Sequence, residues 1–158
     1  MMSVQAGRGA GHDASARRQW MSVLALASPA RLSELVSRND FPPFSYLRKP
    51  ETGLVMVRGR CGGTGNPFNF GEMTVTRCSV RLEDGTIGHA YVAGRSSQHA
   101  EIAAVCDALL QRQEGREALM RTVIRQLAEE EIERRHRLVA KSRATKVDFF
   151  TMVRGDDA

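Results

Sequence analysis

The chain has few cysteines, few aromatic residues and no long apolar run, and each shortage removes a class of function. Its three cysteines, Cys61, Cys78 and Cys106, are odd in number and widely spaced, with no CxxC pair. That pattern neither staples a secreted domain nor frames a metal site, and it predicts reduced thiols in a cytosolic protein. No apolar stretch nears the roughly 20 residues that a membrane helix needs. The opening MMSVQAGRGAGHDASARRQW has no apolar core of the signal-peptide kind. The expectation is a cytoplasmic chain with no membrane partner. Aromatic residues make up 6% of the sequence and are not interleaved with its basic residues. This argues against base stacking and against a nucleic-acid partner.

Catalytic groupings are missing too. There is no HxxxH, no Ser-His-Asp-like arrangement and no pair of acids in an apolar setting. No catalytic residue and no metal ligand is therefore assigned. Of His12, His89, His99 and His136, only His89 lies inside a strand pattern, TIGHAYV, where it shares a face with Ile87 and Tyr91. It reads as a packed or hydrogen-bonded histidine.

What is present is charge with a location. The net charge is +5. Residues 1–100 carry 12 Lys and Arg against 7 Asp and Glu, while residues 101–158 carry 11 against 11. The whole basic excess sits in the first two thirds and permits an anionic partner.

The pattern predicts one α+β domain over residues 13–158 after a disordered stretch at 1–12. Asp13 is a possible N-cap for a first helix with Trp20, Val23, Leu24 and Ala27 on one face. Ser28-Pro29 opens a second, with Leu32, Leu35 and Val36 on its apolar side. Pro50, Thr52 and Gly53 read as a turn before the apolar run Leu54 to Val57. Residues 72–82 alternate with a slip, since Met73 and Val75 are apolar at odd positions and Cys78, Val80 and Leu82 at even ones. A β-bulge near Thr76-Arg77 would bring both sets to one face. Glu83-Asp84-Gly85 signals a hairpin into a third strand over 86–93, completing an antiparallel meander. Ser96 or Ser97 caps a helix buried through Ile102, Val105, Cys106, Leu109 and Leu110. Gly115 ends it, and a long helix follows from about Glu117 to Arg143. That helix has a stripe of Leu119, Met120, Val123, Ile124 and Leu127. Its later half is charged, with Glu130–Arg134, Glu131–Arg135 and Glu133–Arg137 spaced as ion pairs. It presents either a solvated face or an arm that reaches a partner.

Three features carry possible contacts. The stretch RGRCGGTGNPFNFG (58–71) is rich in glycine, but it lacks the lysine of a Walker loop, the third glycine of a dinucleotide fingerprint and a following helix. It reads as a wide strand connection or as a loop that touches a phosphate or a partner. Its candidates are Arg58, Arg60, Gly62, Gly63, Thr64 and Gly65. Arg77 and Arg81 share a strand face, and pairing of the two strands would gather four guanidinium groups on the side opposite the core. Such a face is either solvated or meets carboxylates or phosphates. The tail TKVDFFTMVRG reads as a terminal strand that alternates with large apolar groups on both faces, so it is either buried between layers or open to another chain. Phe149, Phe150 and Met152 are its interface candidates.

Taken together, PETGLVMVRGRCGGTGNPFNFGEMTVTRCSVRL (50–82), GHAYVAGR (88–95) and TKVDFFTMVRG (145–155) closely resemble the G subunit of the bacterial carbon–phosphorus lyase system, PhnG. The resemblance runs from about residue 17 to 155 and is weakest over 28–47 and along the long helix. It implies a subunit of a hetero-oligomeric core complex with H, I and J subunits, acting with the L protein in organic phosphonate catabolism. In that system an alkylphosphonate displaces adenine from the ribose of ATP, giving ribose 1-phosphonate 5-triphosphate. A radical S-adenosylmethionine, iron–sulfur subunit later breaks the carbon–phosphorus bond. The resemblance assigns the nucleosidase chemistry to the I subunit. It implies no cofactor on this chain, with ATP and alkylphosphonate as substrates of the complex, and an assembly role for the G subunit. The residues themselves leave a second reading, a stand-alone phosphate-binding enzyme that uses the Gly/Arg loop.

Overall fold

The computed structural model describes residues 9–36, 41–60 and 65–144, with side chains from Ala14 onward. Helix α1 (Gly9–Leu26) buries Trp20 and Leu24, with Val23 and Ala27 packed beside them. It starts at Gly9 rather than at Asp13. Extending a formed helix is far cheaper than nucleating one, so Ala10 to His12 join it. The Ser28-Pro29 restart gives α2 (Pro29–Val36), with Leu32, Leu35 and Val36 buried as expected.

Three strands follow as an antiparallel meander in the order β1 (Phe44–Gly59), β2 (Phe68–Leu82) and β3 (Ile87–Ala93). Two expectations fail here. Pro50, Thr52 and Gly53 form no turn, because they lie inside β1. The strand absorbs Pro50 at a register shift between Arg48 and Glu51. As an edge strand it tolerates a residue with no N–H to donate. The bulge expected at Thr76-Arg77 is also displaced. The extra residues lie across the ladder in β1, at Leu47 and at Lys49-Pro50, while β2 runs in unbroken register with β3 from Val75 to Arg81. The two apolar sets of β2 do not need to share a face. Cys78, Val80 and Leu82 face the core, and Met73 is exposed on the other side.

The bulges in β1 reverse its facing. Tyr46 pairs with Val80 and its hydroxyl meets Glu101 of the following helix, whereas Arg48, two residues on, pairs with Ser79 on the outer face. At the predicted hairpin, Gly85 takes φ +87° and Asp84 Oδ1 accepts the Thr86 N–H at 2.9 Å.

Helix α3 (Ser97–Gln111) is capped by Ser96, whose Oγ accepts the His99 N–H at 3.2 Å. Its face of Ile102, Val105, Cys106 and Leu110 is buried against the sheet. The approach is closest at Gly88, where an added Cβ would stand 2.0 Å from the Ala104 carbonyl oxygen. Gly115, at φ +75°, turns the chain. Helix α4 (Arg116–Leu119), a π-helical turn (Met120–Ile124) and α5 (Arg125–Ala144) then run on as the expected long helix. Leu119, Val123, Ile124 and Leu127 are buried, and beyond them Ile132, Leu138 and Val139 stand about half exposed. Arg135 meets Glu131 at 2.7 Å as expected. Arg134 turns instead to Glu131 at 2.6 Å, and Glu130 reaches across to Arg31 of α2 at 2.8 Å. The helices cover one face of the sheet, and no described helix covers the other.

Candidate functional site: the open sheet face and the hairpin arm

The sheet does two separate things. Near the β2–β3 hairpin its outer face is polar and basic. The ladder pairs Arg77 with Tyr91, Ser79 with His89 and Arg81 with Ile87. The His89 N–H and the Ile87 carbonyl both point away from β2, to Asp107 Oδ2 at 2.9 Å and to Gln111 Nε2 at 2.8 Å. The three pairs are thus the non-hydrogen-bonded kind, in which side chains approach closely. The result is visible at Ser79, whose Oγ lies 2.8 Å from His89 Nδ1. On its other side Ser79 faces Arg48 of β1. Ser79 therefore has His89 and Arg48 as cross-strand neighbours and Arg77 and Arg81 as neighbours along its own strand.

Electrostatics on this face are partly settled. Arg48 and Arg77 both reach Glu51, Arg77 at 2.6 Å, and they hold its carboxyl below the usual range. The Tyr91 hydroxyl and the Glu51 carboxylate in turn raise the Arg77 guanidinium above its ordinary value. The Ser79–His89 pair escaped the sequence reading, although a signal existed. Counting back from the Asp84-Gly85 turn brings residues 79 and 89 opposite each other.

Away from the helices, the β1–β2 hairpin becomes an arm with apolar groups on both faces. Leu54 and Phe70 are 64% exposed and Met56 is 57% exposed, with Phe68 and Met73 nearly half exposed. Leu54 and Met56 point one way, while Val55 and its partner Met73 point the other. Residues 58–60 and 65–71 of the glycine-rich stretch form the described end of this arm. Its strands stay paired out to Gly59 and Phe68. At Gly59 the missing side chain admits an aromatic ring, since an added Cβ would lie 3.0 Å from Phe70.

The sequence candidates are divided by this layout. Arg77 and Arg81 sit together on the outer face, as expected. Arg58 does not join them. It pairs with Asn69, eight residues along β2 from Arg77 and so roughly 26 Å away at the rise of a strand. Arg60 and Gly65 are exposed at the tip beyond Gly59. Gly62, Gly63 and Thr64 lie outside the described residues, as does Cys61. So do Phe149, Phe150 and Met152 and the whole apolar tail.

A hollow of about 630 Å³ opens between α1 and β3, with Met21, Leu24, Val92 and Ala103 in its walls. Among the described residues no group of three or more His, Cys, Asp or Glu side chains is placed to hold a metal. No helix among them is long and apolar enough to cross a membrane.

Residues 15–155 match the family described as phosphonate metabolism protein PhnG. The chain belongs to the PhnG family. A curated relative is 46% identical over 145 residues, covering 89% of this chain and 90% of its own length. That relative is the alpha-D-ribose 1-methylphosphonate 5-triphosphate synthase subunit PhnG of Rhizobium meliloti (strain 1021). Two of the three outer-face pairs, Arg77–Tyr91 and Ser79–His89, and the arm fall in the blocks, 50–82 and 88–95, that carried the resemblance in the sequence.

Proposed function

We propose that this chain is the G-type subunit of a ribose 1-methylphosphonate 5-triphosphate synthase and that it acts by assembly rather than by holding the reacting bond. The reading is supported by 46% identity to a protein of that name. The structural observation that carries the assembly role is the arm. Leu54, Met56, Phe68, Phe70 and Met73 are exposed on a paired hairpin that no other described element covers. Large apolar side chains left exposed together on one hairpin are the mark of a contact with another chain. Its β1 edge is paired with no other described strand, and the strand of a partner can extend the sheet there. The partners are the H, I and J subunits, with the I-type subunit seated on the arm, and the L protein acts with them in the cytoplasm. The complex takes ATP and an alkylphosphonate and releases adenine.

The test is adenine release from ATP plus methylphosphonate, run with the isolated chain, with the partner subunits lacking it, and with all of them together. Activity only in the full mixture is expected. Adenine release by the isolated chain would overturn the assembly role, and full activity without the chain would overturn its membership.

A further inference from the structure

We infer that the outer sheet face carries a binding site for a tetrahedral oxyanion of the phosphate or phosphonate class, built by Ser79, His89 and Arg81. The ligand class rests on the synthase reading above; the site itself rests on geometry. Ser79 lies at the centre of the open face, between Arg48 and His89 across the ladder and between Arg77 and Arg81 along β2. Three arginines against the single carboxylate of Glu51 leave this ring a formal +2 with His89 neutral. Like charges on neighbouring positions of one sheet face repel unless an anion meets them. Glu51 answers Arg48 and Arg77. Arg81 has no hydrogen-bond or ion-pair partner among the described residues, and neither does the Nε2 of His89.

The donors that remain favour an anion with several oxygens. The Ser79 hydroxyl, the His89 imidazole and the Arg81 guanidinium come from three positions around one point. The hydroxyl and the imidazole are already 2.8 Å apart, and Arg81 sits one pleat repeat away, roughly 7 Å along the strand and within reach of a guanidinium. The Ser79–His89 hydrogen bond occupies one proton of that pair, so the hydroxyl and a neutral imidazole together offer a ligand one O–H or N–H donor, and the Arg81 guanidinium adds a planar fork of donors that fits the oxygens of an oxyanion. The guanidinium supplies the charge-assisted bonds that dominate such a site. Two sources carry this chemistry: a free alkylphosphonate, and the triphosphate of the nucleotide or product.

The full chain is titrated with methylphosphonate, with tripolyphosphate and with chloride at matched ionic strength, while the ring resonances of its histidines are followed by NMR. A saturable shift confined to His89 is expected with at least one of the two phosphorus probes and not with chloride. Tighter binding of methylphosphonate assigns the site to the free phosphonate, and tighter binding of tripolyphosphate assigns it to the triphosphate. Arg81→Gln weakens the response roughly tenfold or more, and Arg81→Lys restores part of it. Thermal unfolding confirms that both variants fold. No saturable His89 shift with either probe overturns the site, as does an undiminished response in Arg81→Gln. Co-purification with the partner subunits is scored on the same variants. A chain that assembles without a His89 response sinks only the site, and one that binds the probes without assembling sinks only the subunit reading.

Discussion

Arg17 grips Asp107 with two parallel hydrogen bonds, Nε to Oδ1 at 3.1 Å and Nη2 to Oδ2 at 2.7 Å. Asp107 is wholly buried and Arg17 is one third exposed. The same carboxylate accepts the Trp20 indole N–H at 2.9 Å and the His89 backbone N–H at 2.9 Å. One side chain of α3 thereby fixes α1 and the edge of β3. Removing it strands several buried donors at once. Asp107→Ala should lose about 3–5 kcal/mol of folding stability, the range for breaking a buried ion pair by deleting one partner. Urea unfolding measures it, and a loss below about 1 kcal/mol would refute the account.

Gly88 is a second structural point with a sharp expectation. Its missing side chain lets α3 lie against β3, and an added Cβ would meet the Ala104 carbonyl oxygen at 2.0 Å and the Ala108 Cβ at 2.8 Å. Both neighbours belong to the helix, and the carbonyl is backbone that cannot swing aside. Gly88→Ala should cost about 3 kcal/mol, the upper end for overpacking. A Tm equal to that of the parent chain would show that the two layers have room to separate.

Acid should find His99 first. His99 is 3% exposed, its Nε2 lies 2.7 Å from the Leu24 carbonyl, and its Nδ1 is buried with no hydrogen-bond partner among the described residues. Burial pushes its pKa below the ordinary 6.5. The unfolded chain then binds the proton more readily than the folded one. The stability this group contributes is complete above pH 6.5 and is lost as pH falls through its lowered folded value. The slope can reach about 1.4 kcal/mol per pH unit for one proton. Glu51, Asp84 and Glu131 are also held below their ordinary values, Glu131 at about 2, but those are carboxylates whose loss begins only below about pH 4.5. His99→Gln keeps a donor for Leu24 and removes the charge, so its stability should be flatter between pH 6.5 and 5. An unchanged slope would assign the acid sensitivity elsewhere.

The thiols offer a chemical check. Burial drives the Cys106 thiol up to about 12 and the Cys78 thiol up to about 11. The reactive thiolate is then scarce at pH 8 in the folded chain. Peptide mapping after brief treatment with iodoacetamide should find both residues unmodified, and both modified once urea is added. Rapid labelling of either in the folded protein would contradict its buried setting.

Local signals carried much of this fold and none of its long-range ties. Ser28-Pro29, the Gly85 turn, the Ser96 cap and the stripe from Leu119 to Leu127 were all legible, because each is written within a few neighbouring residues. Pro50 and Gly53 misled for the same reason: they look like a turn until the partner strand is known, and only the ladder with Arg77 and Val75 shows that β1 runs through them. Arg77 and Arg81 were legible from alternation. The company they keep at Ser79, His89 and Arg48 depends on two bulges in β1 that no local pattern marks. Arg17–Asp107 and Arg31–Glu130 join residues some ninety or more positions apart, beyond the reach of periodicity.

The arm gives the test closest to function. Leu54 and Met56 face the same way and are among the most exposed apolar side chains described. They pair with Thr74 and Glu72 and are not part of the buried core. The proximal part of β1 guards its open edge with Lys49, Pro50 and their bulge, devices that discourage strand addition. The distal part, from Gly53 to Gly59, has no such guard in its pairing until Val57. An unprotected apolar edge is a liability for a free chain and useful for one that joins a partner. The double substitution Leu54→Ser, Met56→Ser should therefore leave the stability of the isolated chain within about 0.5 kcal/mol of the parent, as surface changes do. The same change should weaken association with the synthase subunits by about 2 kcal/mol or more, the scale of an interface hot spot. Unfolding curves and co-purification read the two effects separately. A variant that assembles normally would remove the arm from the interface, and one that unfolds would show that the arm supports the chain's own fold.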